Sequence, residues 1–364
     1  MTSIHSAPSR TAPLLAAPFL AAVVGLTVMA ATMAGAKPAH AAADACGKDR
    51  HSIASVQIEN DLFGNGADRN YTHGTAATFV SAGPVPQILK DVGEGTPGFR
   101  NSDRMQFSVS LGQSIFTPDD ISVPTLQRDD RPYAGWLNMG FGVVAFHDGC
   151  DGEPGRIDSL EIAIGVVGPW SQADDVQITW HDWIDTVEPR GWSNQLKNEP
   201  GIVLTYERRL PRSIDVQWIE DALPFRLEAD ATPHFGFSAG NIFTHAVAGA
   251  TLRVGTDLRS TDGVPRIRPS LPGSAYFEPS DSIDWQLFAG TEVRAVARNI
   301  FLDGNTFRKS HRVKKEPVVV DFQAGLSVTV GPARVSFTNI WRSKEFVKQD
   351  AWDEFGSISA AFHF

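Results

Sequence analysis

Cysteine is scarce in this 364-residue chain, positive charge is in deficit, and beyond the first forty-odd residues no long apolar run exists. Each shortage excludes something. Two cysteines, Cys46 and Cys150, cannot make a disulfide-dense scaffold or a thiolate metal cluster. Thirty-two Lys and Arg against 42 Asp and Glu argue against nucleic acid, whose phosphates need a basic patch. Without ~20 consecutive apolar residues no mature segment can cross a bilayer as a helix. Gly-x-Ser-x-Gly is also absent, so a serine nucleophile on such an elbow has no support. No low-complexity linker or repeat longer than a strand divides the chain.

The apolar run that does exist is N-terminal. Arg10 precedes an alanine-rich stretch from Leu14 to Met33, and Ala39-His40-Ala41 forms a small-x-small cleavage site. Residues 1–41 therefore read as a secretory signal peptide and 42–364 as one domain. Ala43-Asp44-Ala45 before Cys46 is a poor lipidation site. Cleavage removes Arg10 and Lys37 and no acidic residue, leaving 30 basic against 42 acidic side chains, a net charge of −12. In an exported chain the cysteine pair suggests a disulfide, with two free buried thiols as the alternative.

What the mature chain has is period-two alternation over ten residues or more. Met105, Phe107, Val109 and Leu111 alternate with polar or small residues, as do Leu160, Ile162, Ile164 and Val166. Ile283 to Val293 and Val318 to Val330 continue the theme, with charges such as Glu292 and Arg294 on the polar face. Ile358, Ala360, Phe362 and Phe364 end it on an aromatic. Twelve candidate strands emerge, roughly 52–61, 73–82, 104–115, 135–147, 157–168, 201–210, 224–239, 246–257, 283–298, 317–330, 333–342 and 354–364. Their length and even number predict an all-β fold: a 12-stranded antiparallel transmembrane β-barrel with both ends in the periplasm. Odd-to-even connections are then extracellular, and Cys46 and Cys150 share the periplasmic end. The 258–282 connection is long for a periplasmic turn.

Two outer connections hold candidate chemistry. Asn60-Asp61 closes the first strand, and the loop up to Tyr71-Thr72-His73-Gly74 is rich in amide, carboxylate and hydroxyl oxygens, which suit a hard cation or simply a turn. The connection 169–200 opens with Ser171, Asp174 and Asp175, then repeats Val176, Trp180, Trp183 and Ile184 at helical spacing around His181. This predicts a short amphipathic helix whose apolar face lies on the barrel or on lipid.

Taken together, Glu59-Asn60-Asp61, the Asp68–Gly74 run, Gln113–Pro118, Asp130-Arg131-Pro132-Tyr133-Ala134-Gly135, His181 and Gly191–Gly201 resemble the LpxR family over essentially the whole mature chain. The resemblance implies an outer-membrane, calcium-dependent lipid A 3′-O-deacylase. It implies Asn60, Asp61 and Thr72 as Ca2+ ligands and His181 as general base. His73 stands where asparagine is common, and the lysine some members use in the second outer loop has no clear counterpart. Arg131 is the candidate for a phosphate there, or for an ion pair with Asp129 or Asp130, and Trp180 for contact with substrate. His73, His245 and His311 compete with His181 as base.

The implied chemistry is coherent. Oxygen-only ligands point to calcium over zinc. The ion would polarise the ester carbonyl while a neutral histidine takes a proton from attacking water. The implied partner is lipopolysaccharide, and the chain is expected to be a monomer assembled by the outer-membrane barrel insertion machinery. An outer-membrane phospholipase and a non-enzymatic small pore or structural barrel are the rival readings.

Overall fold

The computed structural model describes residues 52–64, 69–83, 85–96, 98–100, 102, 104–147, 155–214, 227–256, 258 and 277–364. The expected signal segment, Cys46, Cys150 and most of the 258–282 connection lie outside the described residues. The strands are β1 (Ile53–Asn60), β2 (Asn70–Val80), β3 (Arg104–Thr117), β4 (Ala134–His147), β5 (Arg156–Val167), β6 (Glu199–Arg209), β7 (Arg212–Ile214), β8 (Glu228–Gly240), β9 (Phe243–Gly255), β10 (Ser280–Asn299), β11 (Val318–Gly331), β12 (Ala333–Arg342) and β13 (Asp353–His363). Three helices are described: α1 (Gln87–Gly95), α2 (Ala173–Ile184) and α3 (Ile300–Asp303).

Every pairing is antiparallel, and β1 joins first to last: Val56 faces Ala77 of β2 and Ala360 of β13. β6 pairs directly with β8, so twelve strands close the ring. The three-residue β7 hangs on the edge of β8, with Arg212 opposite Ala231. All twelve expected strands are present.

Closure explains the alternation. Outward positions such as Ile164, Phe237, Leu326, Phe337, Ile358 and Phe362 are exposed apolar side chains, reaching 68% exposure at Ile283. Such a band belongs in lipid, where one Arg or Lys at mid-depth costs about 2–4 kcal/mol. Inward positions are polar and buried: Gln106, Ser108, Glu161, Glu207, Gln286, Ser336. Asp321 among the inner charges is paired, as burial favours. Asp321 accepts from Arg294 at 2.9 Å and from Arg342 at 3.0 Å.

Toward the outer end the lumen turns apolar. Asn299 caps α3 by accepting from the Phe301 amide at 3.0 Å, which turns Ile300, Phe301 and Leu302 into full burial. Phe301 stacks on Phe116 with centroids 4.0 Å apart. Tyr71, Trp136, Leu196, Ile242 and Phe355 complete a plug across the mouth. Alternation did not reveal α3, because three apolar residues after a strand read as its fraying end.

At the periplasmic end the connection 81–103 is no simple turn. It carries α1 and folds back on the outer wall, where Phe99 packs on Val143 and Ala145, with Leu89, Met105 and Leu160 around them. The outward Asp158 beneath it accepts from Tyr206 at 2.6 Å, Arg208 at 2.7 Å and Arg156 at 2.8 Å. Gly98 at φ +116 covers this cluster where a Cβ would strike Arg208.

Candidate active site on the outer wall

The β1–β2 turn is built by its own polar side chains. Asn60 accepts from the Leu62 amide at 2.8 Å, capping a 3₁₀ turn over Asp61–Phe63. Asp61 reaches across the loop and accepts from the Arg69 amide at 2.6 Å. Thr72 lies 2.6 Å from Thr117 of β3, oxygen to oxygen. Asn60 faces His73 across the strands, and Asn60, Asp61 and Thr72 all lie at the outer end of the hairpin, all three buried. Three oxygen donors including one carboxylate fit a hard cation. No group of three or more His, Cys, Asp or Glu that could hold a metal occurs among the described residues, so any ion here would rely on the Asp61 carboxylate together with amide and hydroxyl oxygens.

His73 is occupied. Asn60 Nδ2 donates to its Nδ1 at 3.2 Å, which leaves Nε2 as the nitrogen carrying the proton toward Thr75 Oγ1 at 2.7 Å. A histidine with its lone pair engaged by an amide is a poor base.

The predicted rim helix exists as α2, and His181 is on it. Asp174 and Asp175 in the first turn suit the helix dipole. Asp185 at φ 51 ends the helix in the left-handed conformation and turns the chain back. That return brings the Val187 carbonyl within 2.6 Å of His181 Nδ1. A carbonyl can only accept, so Nδ1 carries the proton and Nε2 bears the lone pair of the neutral ring. His181 is 5% exposed.

The placement of α2 follows from strand parity. On β3, Phe116 enters the plug while its neighbour Ile115 packs with Ala173, Val176 and Ile178. On β4, Trp136 enters the plug while Gly135 lies under Ala173 and Ser171, so close that no side chain fits. Helix and lumen are therefore on opposite faces of the wall. Gln113 donates to the Ser171 carbonyl at 2.7 Å, and Trp192 donates to Gln177 at 2.9 Å, fixing the helix on the outer, lipid-facing side. Asn60 shares that side, because Glu59 next to it turns inward to Gln57. The metal-loop candidates and the helix are anchored on either flank of β3.

The family model for outer membrane protein LpxR matches residues 25–364. The chain belongs to the LpxR family. Among solved structures, LpxR from Salmonella typhimurium is similar at a TM-score of 0.69 and 20% identity, over 86% of this chain and 100% of that one. The translocator domain of the autotransporter NalP from Neisseria meningitidis matches at a TM-score of 0.39 and 11% identity, over 97% of this chain and 100% of that one. The β domain of the Bordetella autotransporter BrkA follows at 0.41 and 10%, over 87% of this chain and 99% of that one. No curated protein sequence matches. An outer-membrane location follows from the family.

Within this LpxR-family barrel the remaining candidates separate. The face of α2 turned to the wall is Ala173, Gln177 and His181. Trp180, Trp183 and Ile184 point away with Trp170 and Val187, Trp183 being 74% exposed. The foreseen apolar face is therefore divided: Val176 packs on the barrel wall, while Trp180, Trp183 and Ile184 are exposed on the outer side. Arg131 is not at the surface. Its side chain is fully buried near the Phe116 and Phe346 rings, and Nη2 donates to Glu345 at 3.0 Å. The ion pair expected with Asp129 or Asp130 is thus replaced: Asp129 holds Lys348 at 2.6 Å, and Asp130 accepts from the Arg131 backbone. Burial alone pushes the Glu345 carboxyl up, yet Arg131, Arg342 and Arg294 overcome it and hold it below the usual range. Burial pushes Asp130 the other way, above that range.

Sequence reading assigned no role to Thr117 or to the Val187 carbonyl. Thr117 sits in the Phe116-Thr117-Pro118 motif that helped carry the resemblance, so its signal was present. A backbone carbonyl has no signature of its own.

Proposed function

We propose that this chain is a calcium-dependent lipid A deacylase that hydrolyses the 3′-linked acyloxyacyl ester of lipopolysaccharide in the outer leaflet. One observation carries the reading: an oxygen-donor loop and a histidine with a fixed tautomer flank β3 on the membrane-facing wall, at the rim, above a plugged lumen. A lipid reaches that position by lateral diffusion, with its ester at headgroup depth and its acyl chains along the wall.

Asn60, Asp61 and Thr72 would hold the ion, which when bound polarises the ester carbonyl as a Lewis acid. The chain's own residues do the rest. His181, steadied through Nδ1 by Val187, takes a proton from water at Nε2 as the water oxygen attacks the acyl carbon. The same nitrogen returns that proton to the departing 3′ oxygen, releasing a fatty acid and a free hydroxyl. Trp180, Trp183 and Ile184 line the approach and contact acyl chains, excluding water from them. Arg131 braces two outer loops beneath the surface. The enzyme acts as a monomer, delivered by the outer-membrane barrel insertion machinery.

Mass spectrometry of lipid A from cells with and without the protein tests this. Loss of the mass of one 3′ acyloxyacyl group is expected. Unchanged lipid A, with glycerophospholipids deacylated and the protein labelled by a fluorophosphonate, would replace the reading by a serine phospholipase. The apolar plug argues against a passive pore, and steady conductance in planar bilayers would contradict it.

A further inference from the structure

The six outer connections differ sharply in charge. The fifth, 300–317, holds five basic residues (Arg308, Lys309, Arg312, Lys314, Lys315) against Asp303 and Glu316, a net +3. Each of the other five, 61–69, 118–133, 168–198, 241–242 and 343–352, is neutral or negative. In a chain of net negative charge this concentration needs an explanation. Only Lys315 is internally paired, 2.8 Å from Asp303. Arg308, Lys309, Arg312 and Lys314 are exposed and make no ion pair among the described residues. Beside them Phe307 is 71% exposed.

The loop under these charges is held firmly. Arg298 donates to the Gly304 carbonyl at 3.1 Å and to Thr306 at 2.7 Å. Asn305 brackets the backbone of Lys197, and His311 donates to the Asp130 carbonyl at 2.7 Å. Lys315 pairs as a bridge with Phe346 of the sixth connection. Four cations are therefore displayed on a pre-ordered surface, which lowers the entropy lost on engaging a multivalent anion.

We infer that the fifth outer connection is a docking surface for the phosphorylated saccharide headgroup of outer-leaflet glycolipid, separate from the oxygen-donor loop and His181. The charges supply phosphate attraction, and Phe307 supplies an apolar face for a sugar ring. This deepens the proposed deacylase reading and rests on it only for the identity of the ligand.

The test is binding, kept apart from turnover. The full chain in neutral detergent, with EGTA present, is titrated with mixed micelles of diphosphoryl lipid A, monophosphoryl lipid A or phosphatidylcholine. Each cation near an anionic lipid surface contributes about fivefold. Substituting all four (Arg308→Gln, Lys309→Gln, Arg312→Gln, Lys314→Gln) should weaken diphosphoryl binding by up to about 600-fold, monophosphoryl binding less, and phosphatidylcholine binding not at all. Raising ionic strength from about 0.1 to 1 M, which shortens the Debye length from about 10 to 3 Å, should narrow the gap. Heat-modifiable migration verifies that the variant is folded. Equal diphosphoryl binding by wild type and variant overturns the inference, as does full displacement by inorganic phosphate, which marks a simple anion site. If the variant loses binding while wild type removes no acyl chain, the surface stands and the proposed reaction falls.

Discussion

Gly135→Ala tests whether the seating of α2, and not merely its presence, sets the rate. The added methyl would lie 3.1 Å from Ser171 Cβ and closer still to Ala173 Cβ. Carbon–carbon contacts are comfortable at about 3.5–4.0 Å. Backbone of β4 cannot retreat, since Gly135 is paired to Ile115 of β3 and accepts from the Gly168 amide at 3.2 Å, and Trp136 beside it is paired to both β3 and β5. The N-terminal turn of α2 must therefore back away by about 1 Å or more, carrying His181 with it. A misplacement of ~1 Å can cost about 10²-fold in rate, whereas overpacking costs about 1–3 kcal/mol of stability, small for a closed barrel. Deacylation by purified protein in micelles should fall about 10²-fold while heat-modifiable migration is unchanged. Gly112→Ala, on the same sheet, is the control, because its methyl would meet nothing nearer than 3.4 Å. Wild-type turnover in Gly135→Ala, with His181→Ala inactive, would refute the argument.

Three further outcomes are expected. His181→Ala and His181→Asn lose about 10²–10⁴-fold with assembly intact, and the wild-type rate falls on acidification because a protonated imidazole cannot accept a proton; a larger loss in His73→Ala moves the base to the hairpin. Asp61→Ala and excess EGTA both abolish turnover, and calcium restores wild type at about 10⁻⁴–10⁻³ M, the range of few-charge extracellular sites; full activity in EGTA removes the ion from the mechanism. Glu345→Gln breaks the buried pair with Arg131 and costs about 3–5 kcal/mol at neutral pH. Because the folded Glu345 carboxyl titrates below its ordinary value, that stabilisation is present above the unfolded value of about 4.3 and is lost as pH falls through the lower, folded one. Thermal unfolding of wild type should thus converge on the variant in acid, and parallel pH profiles would defeat the assignment.

The strands were legible because a polar lumen and a lipid exterior force opposite demands on successive residues, as at Glu161 and Ile162. The rim helix was legible from Val176, Trp180 and Trp183, but its orientation was not. An apolar stripe faces the protein core when the alternative is water, whereas beside a bilayer it can face outward, and the wall side went to Ala173, Gln177 and His181. The hairpin site was legible because its donors lie within thirteen residues. Arg131 and Glu345 lie 214 residues apart and meet only because the barrel closes β1 on β13 and stacks the second and sixth outer connections. Short-range patterns hold no trace of such a pair.

The apolar septum formed by α3 and its partners has a consequence for the cell as a whole. An enzyme housed in an open cylinder would trade each added copy for a leak to antibiotics and ions. With Phe301, Phe116, Trp136 and Phe355 packed across the mouth, the proposed remodelling of the cell surface would be uncoupled from permeability. Abundance can then follow the amount of glycolipid awaiting modification, and the barrier function of the envelope sets no ceiling on it.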